Sequence, residues 1–456
     1  MTSRLSLLTI LLPFFFFAHH DVINAQPLVF QDVSVLTMET DEVLVNQAII
    51  IENGVIQWVG PSSETDVPAN AEVVSENFFV IPGIAEMHAH IPHPGQGDQA
   101  MKDALILYLS QGITTIRGML GHPAHLVLRE QAAAGEIDSP RIFTSGPSFS
   151  GGSVESADQA RQMVRRQADA GYDLLKFHPG LSVPEFRAIT DEANRIGIEF
   201  SGHISHGVGL TRSLEAGQGS IEHLDRYMEF LAGNPEDRVD PNIIFFGYDL
   251  AYDVQESRIA EAAQLTAEAG VWNVPTHTLL HNVFNPELTV EMMRNWPGME
   301  YVSDATLNNW SGYVQNLRDG DAYDAEKARR FLKVRDEILL ALHEAGAGIM
   351  LGADAPQIFN PPGFAAHREL NLLIKAGLTS FDALKTGTVH VADYLNETGS
   401  SGIIAPGARA DLLLLNVNPL ESVPFQNHIE GVISEGRYYD RERLDEMLDG
   451  VRQRTQ

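Results

Sequence analysis

Two histidines one residue apart, His88-Ala89-His90, follow the apolar run Val80-Ile-Pro-Gly-Ile-Ala-Glu-Met87. In an extended strand the side chains at i and i+2 point to one side, so both imidazoles can reach a single cation. Chance pairs are common in a chain with 17 histidines, so this spacing gains weight only from its company. Other short apolar segments carry Leu175-Lys176-Phe177, Gly202-His203, Glu222-His223 and Gly352-Ala353-Asp354 at their ends. Imidazole, carboxylate and amine suit metal-assisted hydrolysis. The lack of any cysteine excludes thiolate metal sites and thiol nucleophiles.

Bringing such distant groups together requires a regular scaffold. Short apolar strands alternate with helical patterns, the signature of parallel βαβ units. Eight strands are predicted: Ile84–His90, Thr114–Met119, Arg141–Ser145, Leu174–His178, Glu199–His203, Ser220–Leu224, Trp272–Thr276 and Gly348–Asp354. Eight repeats predict an α/β fold closed as a (β/α)8 TIM barrel, whose C-terminal strand ends converge. Five strands would then aim four histidines, a lysine and an aspartate at one point. Ser182-Val-Pro-Glu185 is a capping box with proline in the first turn, stopped by Gly197, and Ser156 and Gly171 bracket the preceding helix.

At both ends the pattern changes. Leu28–Met38 and Ala48–Val59, the latter broken by Asn53-Gly54, are β-branched with period-two character, as are Ala410–Asn416 and Gly431–Glu435. The expected organisation is a signal peptide over residues 1–25, a composite β-sandwich from residues 26–80 and 401–440, and the barrel over 81–400. Some seventy residues separate strands seven and eight and hold Trp296, Tyr301, Trp310 and Tyr313. Such insertions sit over the active-site face, where these aromatics would either pack a small core of their own or touch substrate.

The signal reading rests on Arg4, the apolar run Leu5–Ala18 and the polar stretch ending at Asn24-Ala25, with cleavage after Ala25. The alternative is an uncleaved anchor, but the run is shorter than the ~18–20 residues a span needs. Export to the periplasm or the extracellular space follows, with no stable membrane span after cleavage. The formal net charge of -30 repels phosphate backbones, so no nucleic-acid partner is expected. A homo-oligomer remains open.

At these residues the chain resembles the amidohydrolase superfamily, in particular its imidazolonepropionase-like and Xaa-Pro dipeptidase-like branch. The resemblance spans the mature chain and includes Val80–His90, Gly112-Ile-Thr-Thr-Ile-Arg117, Ser220-Ile-Glu-His223, Glu369-Leu-Asn-Leu-Leu373 and Ile404–Leu415. It implies that His88, His90 and Asp354 hold one divalent metal ion, that His203 and His223 hold a second, and that Lys176 bridges them as a carbamate. Two such ions, with zinc as the default for an imidazole-rich site and manganese or cobalt as alternatives, share a hydroxide and polarise a carbonyl. Asp354 would pass the proton to the leaving nitrogen. The function implied is hydrolysis of amide-type C–N bonds in a small-molecule substrate: a dipeptide, an N-acyl amino acid or a related amide.

Tyr227, His277 and His122 are further substrate-contact candidates, each set against a packed or hydrogen-bonded structural role. Arg117 and Arg226 could meet a substrate carboxylate, with salt bridges as the safer reading. Relatives often place an acid after the strand-two arginine, where this chain has Gly118, and some have a histidine where it has Ser150-Gly-Gly-Ser-Val154. The substrate is therefore not transferable from any one relative. A one-metal cyclic amidase or deaminase and a metal-retaining binding protein are the competing readings.

Overall fold

The computed structural model describes residues 26–233, 246–423 and 425–455. The predicted signal peptide lies outside them. Near the N-terminus β1 (Leu28–Leu36), β2 (Val43–Glu52) and β3 (Val55–Pro61) form a meander, and β4 (Glu72–Ser75) and β5 (Phe79–Pro82) run parallel to the first and second halves of β1. The register of β1 slips between Phe30 and Val33, with Asp32 at φ 57°, so that Phe30, Val33 and Val35 all turn inward despite their spacing.

The barrel follows directly. Its strands are β6 (Ile84–Ala89), β7 (Ile113–Gly118), β8 (Arg141–Thr144), β9 (Leu174–Phe177), β10 (Glu199–Gly202), β11 (Ser220–Glu222) and β12 (Trp272–Val274). Two hydrogen-bonded sheets, β6-β7-β8 and β9-β10-β11-β12, are linked by the bridge Ser145–Leu174. The predicted eighth strand is present as a ladder of single bridges: Ile349 pairs with Asn273, and Ala355 with Ala89. Met87 N–H donates to Leu351 O at 2.7 Å and Asp354 N–H to His88 O at 3.0 Å, which closes the ring. Near the ends of the last two barrel segments Thr276 (φ 48°) and Asp354 (φ 61°) turn left-handed, which interrupts regular strand geometry.

The chain then returns to the sheet with β13 (Leu412–Leu415), β14 (Ile429–Ser434) and β15 (Arg437–Asp440), giving the order β15-β14-β13-β5-β1-β2-β3. Four successive leucines in β13 need two dry faces. Leu412 and Leu414 enter the sandwich core with Phe30, Ile49 and Ile433, while Leu413 and Leu415 pack into the barrel core. Beyond residue 440, where the sequence reading stops, a helix over Arg441–Thr455 lies on the barrel helix Asp98–Ser110 and is pinned by Arg454 to Asp103 at 2.7 Å.

The predicted helix signals hold. Ser182 and Glu185 exchange both capping-box bonds, and Gly197 terminates that helix at φ 78°. In the insertion, Trp296, Trp310 and Tyr313 pack against Met293, Met299, Leu307 and Phe359, and Tyr301 stacks on Phe364 at 5.6 Å. These aromatics therefore build cores. Among the described residues no helix is long and apolar enough to cross a membrane.

Candidate metal centre

His88 and His90 reach the same carboxylate oxygen. His90 Nε2 lies 2.7 Å and His88 Nε2 3.5 Å from Asp354 Oδ1, and ligand atoms of the three residues all fall within 4.8 Å of one another. His223 Nδ1 stands 3.9 Å from the other oxygen, Oδ2. The His223 ring centroid is 4.7 Å from that of His88 and 4.6 Å from that of His203. All four predicted histidines and Asp354 thus gather at one mouth of the barrel.

Close approach there depends on missing side chains. A Cβ on Gly352 would sit 2.5 Å from Val274 Cγ1 and 2.7 Å from His88 N, so only glycine lets the eighth segment lie against β6 and β12. Gly202, at φ 124°, leaves space where the Lys176 stem passes, since a Cβ would meet Lys176 Cδ at 3.0 Å and Phe177 O at 2.5 Å.

Lys176 is fully buried, and its Nζ has no hydrogen-bond partner. Burial pulls the amine down to about 8, against the partial opposition of Glu222 and Asp354. An ammonium left unpaired in such a place is costly, whereas a neutral amine is accessible near neutral pH. Burial alone would raise the Asp354 carboxyl, but His88, His90 and Lys176 outweigh it and hold the group well below the usual carboxylate range. Burial likewise keeps His88 and His223 neutral, the form that binds metal. The donor set, three converging groups beside an orphaned amine, fits a cation centre.

What the sequence reading missed is how the imidazoles are held. His88 Nδ1 bonds Glu222 Oε2 at 2.6 Å, His203 Nδ1 bonds Asp225 Oδ2 at 2.9 Å, and His223 Nδ1 bonds Thr276 Oγ1 at 2.7 Å. With Nδ1 hydrogen-bonded in all three rings, Nε2 is the nitrogen left available to a cation. Gln357 donates to Asp354 Oδ1 at 2.6 Å. The available signal was the pair of acids flanking a candidate ligand, in Glu222-His223-Leu-Asp225.

The remaining candidates have partners of their own. Tyr227 is fully buried, and its hydroxyl bonds Thr266 Oγ1 at 2.8 Å and Asn273 Oδ1 at 3.1 Å, the packed arrangement that was set against substrate contact. His122 caps the helix Pro123–Ala133 by accepting from Ala124 N–H at 3.2 Å. His277 is buried beside His281, with Nε2 3.3 Å from Asp336 Oδ1. Arg117 is buried and paired with Glu222 at 2.9 Å, and Arg226 donates to Ile204 O and to Glu229. Both arginines take the salt-bridge role.

A closed α/β barrel with a histidine–aspartate mouth and a sandwich made from both chain ends defines a class of metal-dependent hydrolases. Residues 79–438 match the model of the Amidohydrolase family, and the chain belongs to that family of enzymes acting on C–N bonds. Among curated proteins it is similar to ochratoxinase of Aspergillus niger, 19% identical over 84% of this chain and 80% of that protein. Among solved structures it is similar to a Bifidobacterium longum protein assigned as a prolidase, with 26% identity, TM-score 0.66 and coverage of 94% and 99% of the two chains. Bottromycin amidohydrolase superposes with TM-score 0.70 at 22% identity, covering 94% of this chain and 90% of its own.

Proposed function

We propose that this enzyme hydrolyses the amide bond of a dipeptide, an N-acyl amino acid or a related small amide. In this reading His88, His90 and Asp354 would hold one divalent ion and His203 and His223 a second, with zinc the default metal, and the neutral Lys176 amine would add carbon dioxide and release a proton, giving a carbamate whose oxygens serve the same centre. When bound, such ions supply Lewis acidity, making water acidic and the scissile carbonyl electrophilic. The protein's own groups do the rest. Asp354, a carboxylate at working pH, accepts the proton of the attacking water and returns it to the departing nitrogen, which cannot leave as an anion.

The observation that carries this reading is the junction of the tight His88/His90/Asp354 group with a buried, partnerless Lys176. The presence of prolidases and a Xaa-Pro dipeptidase among the similar solved structures supports a peptide-like substrate. The test is an assay of the metal-loaded protein against dipeptides and N-acyl amino acids beside Asp354→Asn. A fall in kcat on the order of 10²–10⁴ is expected, and unchanged cleavage would remove the proton-shuttle role. A one-metal cyclic amidase is the second reading, since only three ligands meet within 4.8 Å among the described residues. Metal analysis decides between them, two ions per chain favouring the first and one the second.

A further inference from the structure

One histidine at the mouth has no role in the scheme above. His178 lies two residues beyond Lys176, just past the end of β9, so the strand's alternation sends it towards the same side as the lysine. Its ring stacks on His203 with centroids 5.2 Å apart and planes 29° from parallel. The backbone fixes its position: His178 N–H donates to Phe149 O at 2.8 Å, and the following turn at Gly180 abuts Gly151, where a Cβ would meet Gly180 O at 2.4 Å. The backbone that carries the ring is thus held in place, and the ring itself rests against His203.

It differs from them in one respect. The Nδ1 atoms of His88, His203 and His223 are each tied to Glu222, Asp225 or Thr276, the support usual for a metal-binding imidazole. His178 Nδ1 is buried and has no hydrogen-bond partner. A fixed imidazole with an unassigned nitrogen, in face contact with a ligand ring, is placed to meet a group that arrives with the substrate. Every neutral imidazole carries one N–H, and the atom in an amide hydrolysis that gains negative charge is the carbonyl oxygen.

Resting on the amide-hydrolase reading above, we infer that His178 donates a hydrogen bond to the carbonyl oxygen of the scissile amide and strengthens that bond as the oxygen becomes an oxyanion. It is then a catalytic residue of this chain that holds no metal.

The test compares wild type, His178→Ala and His178→Gln, metal-loaded, on the dipeptide or N-acyl amino acid that wild type cleaves fastest, together with its phosphinate isostere as a tetrahedral mimic. Loss of one such donor lowers kcat by about 10²–10³, so His178→Ala should lose that much kcat with little change in KM. Its affinity for the phosphinate should fall in parallel with kcat/KM while its metal content equals that of wild type. His178→Gln, which retains an N–H donor, should recover part of the rate. The inference is overturned if the alanine variant keeps wild-type kcat and phosphinate affinity, if it loses metal, or if glutamine performs no better than alanine. If wild type itself cleaves no amide in the panel, the failure belongs to the underlying functional reading.

Discussion

Glu222 serves two neighbours with its two oxygens. Oε2 bonds His88 Nδ1, and Oε1 accepts from Arg117 at 2.9 Å and from Ser220 at 2.5 Å. The arginine and the serine hold the carboxylate in place, and the carboxylate in turn orients the His88 ring through Nδ1. Glu222→Gln should weaken metal binding about 10–100-fold, as read by competition with a chelator. Two residues before His88, Glu86 is fully buried with one oxygen unpartnered, and burial raises its carboxyl to about 8 despite the Ala353 N–H bond. Between the ordinary glutamate value and that point the folded chain keeps a proton that the unfolded chain has released. Stability of the metal-free protein must therefore fall as pH rises through this window. Glu86→Gln, fixed in the protonated shape, should match wild type near pH 5 and exceed it above pH 8 by a few kcal/mol at most (on the order of 1.4 per pKa unit), measured by urea titration.

At the scale of elements, the barrel was legible because each strand is a short apolar run between helix signals such as the Ser182 box and Gly197. The candidate ligands were legible because five of the runs end in residues with no business in a core. What escaped depended on geometry without periodicity. Asp225, Thr276 and Gln357 lie past their strand ends, where the backbone at His223, Leu224, Thr276 and Asp354 turns to positive φ, and no spacing rule predicts which way the chain returns. The same turns explain why Tyr227 rotates away from the mouth and into the packing beneath the helix Ile259–Ala269, against Thr266. The helix over Arg441–Thr455 was missed although Leu444, Met447, Leu448 and Val451 have helical spacing, because its remaining residues are almost all polar. Gly352 is the element-scale hinge of the site. Gly352→Ala should push the eighth segment off β6, cost about 1–3 kcal/mol in urea unfolding, and lower metal affinity with it.

For the whole molecule, the sandwich and barrel are not two beads on a string. β13 lies between β5 and β14 in the composite sheet, with Leu413 set against Gly112 at the foot of the barrel and Leu412 in the sandwich core. Removing residues 411–456 should therefore expose both cores at once, and the shortened chain should be digested by a protease dose that leaves the full chain intact.

That placement also sets a timetable. A ribosome completes β5 long before it makes β13, so the edge that Leu412–Leu415 will cover waits open while more than three hundred further residues emerge. Until that segment arrives the growing chain carries an unpaired sheet edge and can complete neither core, so the final fold waits for roughly the last tenth of the polypeptide.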